Sequence, residues 1–310
     1  MKKSLLTLAA VLALFPAVPT AWAAEAVQKT VFEFSPIVDD AVNESLGGKK
    51  VLAVFDIDNT LLTPPQLLGS NQWFADQWAS LQKYCPDLGA APCPTRLSQL
   101  LGFYDTVEEA SHQLTTEPSV APGISALQSS GIKTIALTDR GGSIADATRR
   151  QLLENGIDFS KNGFGGSLPN FPPQNDLRGP TYYDGVMMTA GQNKGQWLLT
   201  LLKLTGFKPD LVLYADDNPR YVAVIVQACQ SAGIAVHAFR YGRMDEAVAR
   251  YNQGDDLKAV ARSEAWKFHD SGLQEIFPDD RASQLPPTSV EAVNNAIYGT
   301  PDPAHAVDVK

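Results

Sequence analysis

The chain has 310 residues, 44% of them hydrophobic and 19% charged, enough apolar material to bury a core and to exclude wholesale disorder. Its length suits about two structural units. With 25 Lys and Arg against 34 Asp and Glu, the net charge is −9, so nucleic acid and anionic membrane offer no long-range attraction and are not expected as partners.

The first 23 residues read as an address. Lys2 and Lys3 form a basic start, Leu5 to Val18 is mostly apolar, and Ala21-Trp22-Ala23 fits the small-x-small cleavage rule. A Sec signal peptide over 1–23 is expected, cleaved after Ala23. The competing reading, an uncleaved anchor, needs an apolar run of about 20 residues. No cysteine lies just after Ala23 to take a lipid, and no second apolar run of membrane length follows. The expected location is periplasmic or secreted. In an oxidising compartment, Cys85 and Cys93 are expected to close the short loop between them as a disulfide. A zinc site needs about four ligands, and His112 is the one other soft ligand nearby in sequence. Cys229 lies in an apolar stretch and reads as a buried, inert thiol.

Residues 24–35 suggest an extended arm, and Ser35 a cap for a helix over 37–46 that Gly47-Gly48 ends. Val51 to Phe55 is continuously apolar, which suits a parallel strand covered on both faces. It runs into Asp56-Ile57-Asp58-Asn59-Thr60. Residues 66–118 read as two helices separated by the Cys85–Cys93 loop. Trp73, Phe74, Gln77, Trp78 and Leu81 recur at helical spacing in the first, and Leu97 to Leu114 behaves likewise. Their tryptophans either pack a small helical insert or roof a site, and both can hold. After Pro122-Gly123 comes a helix. A strand Ile132–Leu137 ends at Thr138-Asp139-Arg140, and a helix follows over about 143–155. Residues 156–181 read as a loop, and Tyr182 to Thr189 as a strand or hairpin around Asp184-Gly185. Lys194 opens a helix. Leu211–Tyr214 is a strand ending at Asp216-Asp217. A helix over 219–231 and a strand Ala235–Phe239 complete the alternation.

That alternation argues for an α/β protein with an open, parallel, Rossmann-like sheet flanked by helices. The expected division is a core over 24–65 and 119–278, a small helical cap insert over 66–118 after the first strand, and a Pro-rich tail over 279–310. Ligands of such sheets bind at the carboxyl ends of the strands. Asp56/Asp58/Thr60, Thr138/Asp139/Arg140 and Asp216/Asp217 fall at those ends, and Lys194 at a helix start. Clustered carboxylates stay ionised only with cations between them, and oxygen ligands of this kind suit Mg²⁺. Each cluster also has a plain structural reading. Asp-x-Asp-Asn-Thr can be a turn, Asp216-Asp217-Asn218-Pro219 a helix cap, and Lys194 a surface lysine. Their joint, ordered occurrence favours a site.

Val54-Phe55-Asp56-Ile57-Asp58-Asn59-Thr60-Leu61 resembles the first motif of the haloacid dehalogenase-like (HAD) phosphohydrolase superfamily. Thr138, Lys194 and Asp216-Asp217 are similar to its second, third and fourth motifs, in that order, over about residues 50–240. With Gln72-Trp73-Phe74 and Leu137-Thr138-x-Arg140, the chain more narrowly resembles the exported bacterial family DUF2608 and, more distantly, the secreted acid phosphatases of the superfamily. The resemblance implies an Mg²⁺-dependent phosphomonoester hydrolase acting on a small-molecule or exposed phosphoester. Asp56 would be the nucleophile and Asp58 the general acid and base. Thr138 and Lys194 would hold the transferring group, with Asn59 and Thr60 at the substrate. Asp56, the Asp58 carbonyl, Asp216 and Asp217 would hold Mg²⁺. Arg140 either clamps substrate oxygens or pairs with Asp139 or Asp217.

Two look-alikes fail. An EF-hand loop starting at Asp56 needs Gly sixth and Glu twelfth, where this chain has Leu61 and Leu67. A response-regulator receiver carries its acidic pair first in the chain, not last. His112, His237, His269 and His305 form no catalytic arrangement and read as structural. Two rival functions remain: a phosphotransferase with the same residues, and a catalytically silent binding protein of the same fold.

Overall fold

The computed structural model describes residues 24–166 and 179–270. The expected signal peptide, the tail over 279–310 and part of the 156–181 loop lie outside the described residues.

The strands in chain order are β1 (Ala26–Val31), β2 (Val51–Phe55), β3 (Leu62–Thr63), β4 (Leu114–Thr115), β5 (Lys133–Thr138), β6 (Thr181–Tyr183), β7 (Val186–Met188), β8 (Leu211–Asp216) and β9 (Ala235–Tyr241). The helices are α1 (Ser35–Leu46), α2 (Asn71–Tyr84), α3 (Cys93–Ala110), α4 (Val120–Ser129), α5 (Ala145–Glu154), α6 (Lys194–Thr205), α7 (Pro219–Ser231), α8 (Asp245–Gln253) and α9 (Asp255–Asp270).

Seven strands form one sheet in the order β1-β9-β8-β2-β5-β7-β6. Every neighbouring pair is parallel except β6 with β7, a hairpin turning at Asp184-Gly185. The protein is therefore α/β, with a mostly parallel central sheet flanked by helices. β2 is continuously buried because it is covered twice. Ala53 and Phe55 pack with Ile37 of α1 and Ile124 and Leu127 of α4. Leu52 and Val54 pack on the opposite face with Leu198 and Leu201 of α6 and Ile225 of α7. The chain leaves β2 for β5 on one side and later returns to β8 on the other, so its direction reverses at β2. The crevice beyond the carboxyl ends at such a reversal is where open α/β sheets place ligands.

Some local expectations need correction. The extended arm over 24–35 is an edge strand, since Ala26–Val31 pairs in register with Val236–Tyr241. The insert therefore follows the second strand of the chain. Ser35 is the first residue of α1, whose cap position is Phe34; Pro36 in the first turn, with its preset φ, explains that start. Pro122-Gly123 lies inside α4 instead of before it. Gly123 is needed there because a Cβ would approach the Phe34 ring to 2.9 Å. The second insert helix begins at Cys93, four residues before Leu97.

The insert has its own core. Leu68, Trp73, Leu81, Leu100, Phe103 and Val107 pack together, and a Cys85–Cys93 disulfide ties the end of α2 to the start of α3. Helices α8 and α9, which the sequence pattern did not announce, join this cluster with Tyr251, Ala261, Ala265 and Phe268. The Glu264 carboxylate accepts the backbone N–H groups of Leu67 (3.0 Å) and Leu68 (2.7 Å) at the entry to the insert. No helix among the described residues is long and apolar enough to cross a membrane.

Candidate active site at the sheet's carboxyl edge

Asp56 follows β2 directly and its N–H donates to the Ala215 carbonyl of β8 (2.9 Å). The chain then turns tightly: the Ile57 carbonyl accepts from Thr60, Leu61 and Leu62. Asn59 takes a left-handed conformation (φ 58°), which asparagine tolerates better than most residues. The turn keeps Asp56 and Asp58 at the crevice. The Thr60 hydroxyl accepts the Asp217 N–H (3.0 Å) and so pins the turn to the end of β8. The Asn59 amide reaches Gln72 of α2 (3.4 Å), which ties the turn to the insert.

Lys194 is the first residue of α6, fixed by the Asn193 side chain accepting the Gln196 N–H (3.0 Å). It is 1% exposed, and its ammonium bridges Asp56 Oδ1 (2.7 Å) and Asp216 Oδ2 (2.8 Å). The Tyr221 ring lies beneath it at 4.3 Å. Burial disfavours its charge, yet Asp216 and Asp56 outweigh that and raise its pKa well above the ordinary value. Asp216 also accepts from the Tyr214 hydroxyl and the Asn218 N–H. Carboxylate oxygens of Asp56, Asp216 and Asp217 lie within 4.8 Å of one another, close enough to share a metal ion. One lysine does not neutralise three carboxylates. Burial raises Asp56 well above the carboxylate range despite Lys194, and burial with Asp216 pushes Asp217 up to about 7.

Thr138 ends β5, beside β2, and its hydroxyl accepts the Arg140 N–H (3.2 Å). Asp139 accepts the hydroxyls of Thr189 and Tyr221. Arg140 does not pair with Asp139 or Asp217, the partners considered from sequence. It grips Asp58 through Nε (3.0 Å) and a terminal nitrogen (2.8 Å), and it reaches Glu108 of α3 at 3.0 Å. The reason is reach: the side chain turns under the crevice toward α5 and the insert, away from β8.

The structure thus brings Asp56, Asp216, Asp217 and Lys194 into one cluster, and Asp58 and Arg140 into a second beside it. Thr138 sits at the same edge. The Thr60 hydroxyl is used in the fold, and Asn59 is 2% exposed. A family model described as "Protein of unknown function (DUF2608)" matches residues 30–273.

The chain belongs to the DUF2608 family.

A Chlamydia pneumoniae protein named "Putative outer membrane protein" is 24% identical to this DUF2608 chain over 189 residues, 61% of this chain and 68% of that one. Four site residues escaped sequence reasoning: Glu108, Gln151, Tyr214 and Tyr221. Only Glu108 left a signal, a charge next to the apolar Leu100, Phe103 and Val107 positions of α3. Tyr214 reads as one more apolar strand residue. Cys229 is buried and free, and burial pushes its thiol up to about 12, which fits an inert packing role.

Proposed function

We propose that this DUF2608 chain is an exported phosphomonoester hydrolase of the HAD type, working with Mg²⁺ through an aspartyl-phosphate. The observation that carries the reading is the contact of Lys194 with both Asp56 and Asp216 at the crevice, with Asp58 two residues along the same turn. A buried nucleophile, a buried cation and an acid/base beside them are the parts phosphoryl transfer needs.

In the first step a carboxylate oxygen of Asp56 attacks phosphorus and the ester P–O bond breaks. Asp58 gives its proton to the departing alcohol oxygen. In the second, Asp58 takes a proton from water, the water oxygen attacks phosphorus, and the acyl-phosphate bond to Asp56 breaks. Lys194 offsets negative charge on Asp56 and the phosphoryl group throughout. The Thr138 hydroxyl, at the end of the neighbouring strand, donates to a phosphoryl oxygen. Asp56, the Asp58 carbonyl, Asp216 and Asp217 would hold Mg²⁺. The hard oxygen donors and the uncompensated carboxylate charge fit that ion. It would supply positive charge opposite the phosphoryl oxygens.

Export is supported by Lys2-Lys3, the Leu5–Val18 run and Ala21-Trp22-Ala23, by a disulfide suited to an oxidising compartment, and by the name of the chlamydial relative. The substrate is a small or exposed phosphoester.

The test is hydrolysis of 4-nitrophenyl phosphate from pH 4 to 9, with and without Mg²⁺, beside Asp56→Asn. Metal-dependent turnover that falls more than about 10³-fold in the variant is expected. Full activity in Asp56→Asn would sink the proposal. Metal binding without turnover on any phosphate ester would favour a binding protein instead.

A further inference from the structure

Arg140 is 3% exposed, and each nitrogen of its guanidinium donates to at least one side-chain acceptor. Nε donates to Asp58; one terminal nitrogen donates to Thr148 (3.1 Å) and Gln151 (2.6 Å), and the other donates to Asp58 and lies 3.0 Å from Glu108 Oε2 as an ion pair. Glu108 is fully buried and comes from the insert, yet its Oε2 also accepts from Gln151 (3.1 Å) and Gln113 (3.3 Å). Around this contact α5 clasps the end of α3. Gln151 donates to the Glu108 carbonyl and Arg150 to those of Glu109 and Ser111, carbonyls that a helix end leaves without partners of its own. Gly69 lets the entry loop close on the same spot, since a Cβ there would stand 2.7 Å from Val107.

A guanidinium has a fixed planar fork, so anchoring one edge sets where the other edge points. Glu108 and Gln151 anchor the inner edge, and the outer edge holds both oxygens of Asp58. We infer that Glu108 is a positioning residue: through Arg140 it keeps one Asp58 oxygen fixed while the other, carrying the proton, turns from the guanidinium to the leaving-group oxygen, so that the insert completes the acid of the reaction only when docked. This inference rests on the hydrolase reading and adds to it a residue outside the motif set.

A positioning role for the acid has a distinctive signature. An alkyl leaving group needs a proton, whereas 4-nitrophenolate leaves without one. The kcat/KM of each ester reports the step in which that proton moves. Glu108→Leu, which fills the space but cannot accept from Arg140, is expected to lose about 10- to 100-fold more kcat/KM on an alkyl phosphate than on 4-nitrophenyl phosphate. Glu108→Gln, which keeps an acceptor, is expected to restore the alkyl ester to within about three-fold of the parent. Gln151→Leu removes the other anchor and is expected to reproduce the same bias, which keeps the test decisive if Glu108→Leu does not fold. Equal losses on the two esters, or no rescue by Gln, would overturn the positioning role and leave the hydrolase reading standing. No turnover of either ester by the parent protein would overturn both.

Discussion

Lys194 and Arg140 hold the acidic residues of the same sheet edge. Both are buried, and each holds two carboxylates. They are assembled differently. Lys194 takes Asp56 and Asp216 from the ends of β2 and β8, which pair in register from Val51↔Leu211 to Phe55↔Ala215. Strand pairing sets its two carboxylates, and the capped start of α6 sets its cation. Arg140 takes Asp58 from the turn, Thr148 and Gln151 from α5, and Glu108 from the insert, so its cluster exists only when two packing units meet. One half of the site is therefore as firm as the sheet, and the other as firm as the docking of α3 on α5.

The sharpest way to break this contrast is Lys194→Met. Removing the cation that joins Asp56 and Asp216 leaves two buried carboxylates uncompensated, and such losses cost about 3–5 kcal/mol. Urea unfolding should show that drop, together with loss of turnover. A variant as stable as the parent would mean that the sheet does not depend on this cluster. The opposite manipulation, Cys85→Ser with Cys93→Ser, opens a short loop and should cost about 2.5 kcal/mol. Hydrogen exchange should rise in α2 and α3 and stay unchanged in β2 and β8. Equal loosening of both would make the two regions one cooperative unit.

Protons give a subtler distinction. Burial pushes Glu108 from 4.5 up to about 7 although Arg140 opposes it. The folded state then keeps a proton that the unfolded chain has lost, so this group's contribution is full below the unfolded value and is lost as pH rises toward 7. Between pH of about 4.5 and 7.5, the parent should lose about 3 kcal/mol relative to Glu108→Gln. Parallel stability curves for the two proteins would contradict it.

Much of the sheet half was legible because its signals are local. Five consecutive apolar residues from Val51 end at an Asp; Asn218-Pro219 announces a helix start; Asp184-Gly185 announces a hairpin. Lys194 and Asp216 could be gathered at one edge in advance because strand ends and helix starts converge there by topology, but their ion pair was not foreseen. The insert half was less legible. Cys85 and Cys93 were paired from spacing and compartment, but the partner of Arg140 lay in neither of the carboxylates considered for it. Glu108 is 32 residues earlier in the chain, and only the crossing of α3 with α5 brings the two together. Helices α8 and α9 were missed for a related reason. Their apolar residues, Tyr251, Ala261, Ala265 and Phe268, face another small cluster, so the stripe is thin.

The placement of α8 and α9 also bears on the order in which the molecule can assemble. Phe103 meets the Phe268 ring edge-on and Trp73 shares a cluster with Tyr251, and among the described strands β1 pairs with β9 alone. Both seams join early residues to late ones. A chain that emerges amino end first must carry an open sheet edge and a half-built insert until residues 236–268 follow, and long-range closures of this kind slow folding. Until α9 docks, Phe103 lacks the edge-on ring of Phe268 that completes its packing.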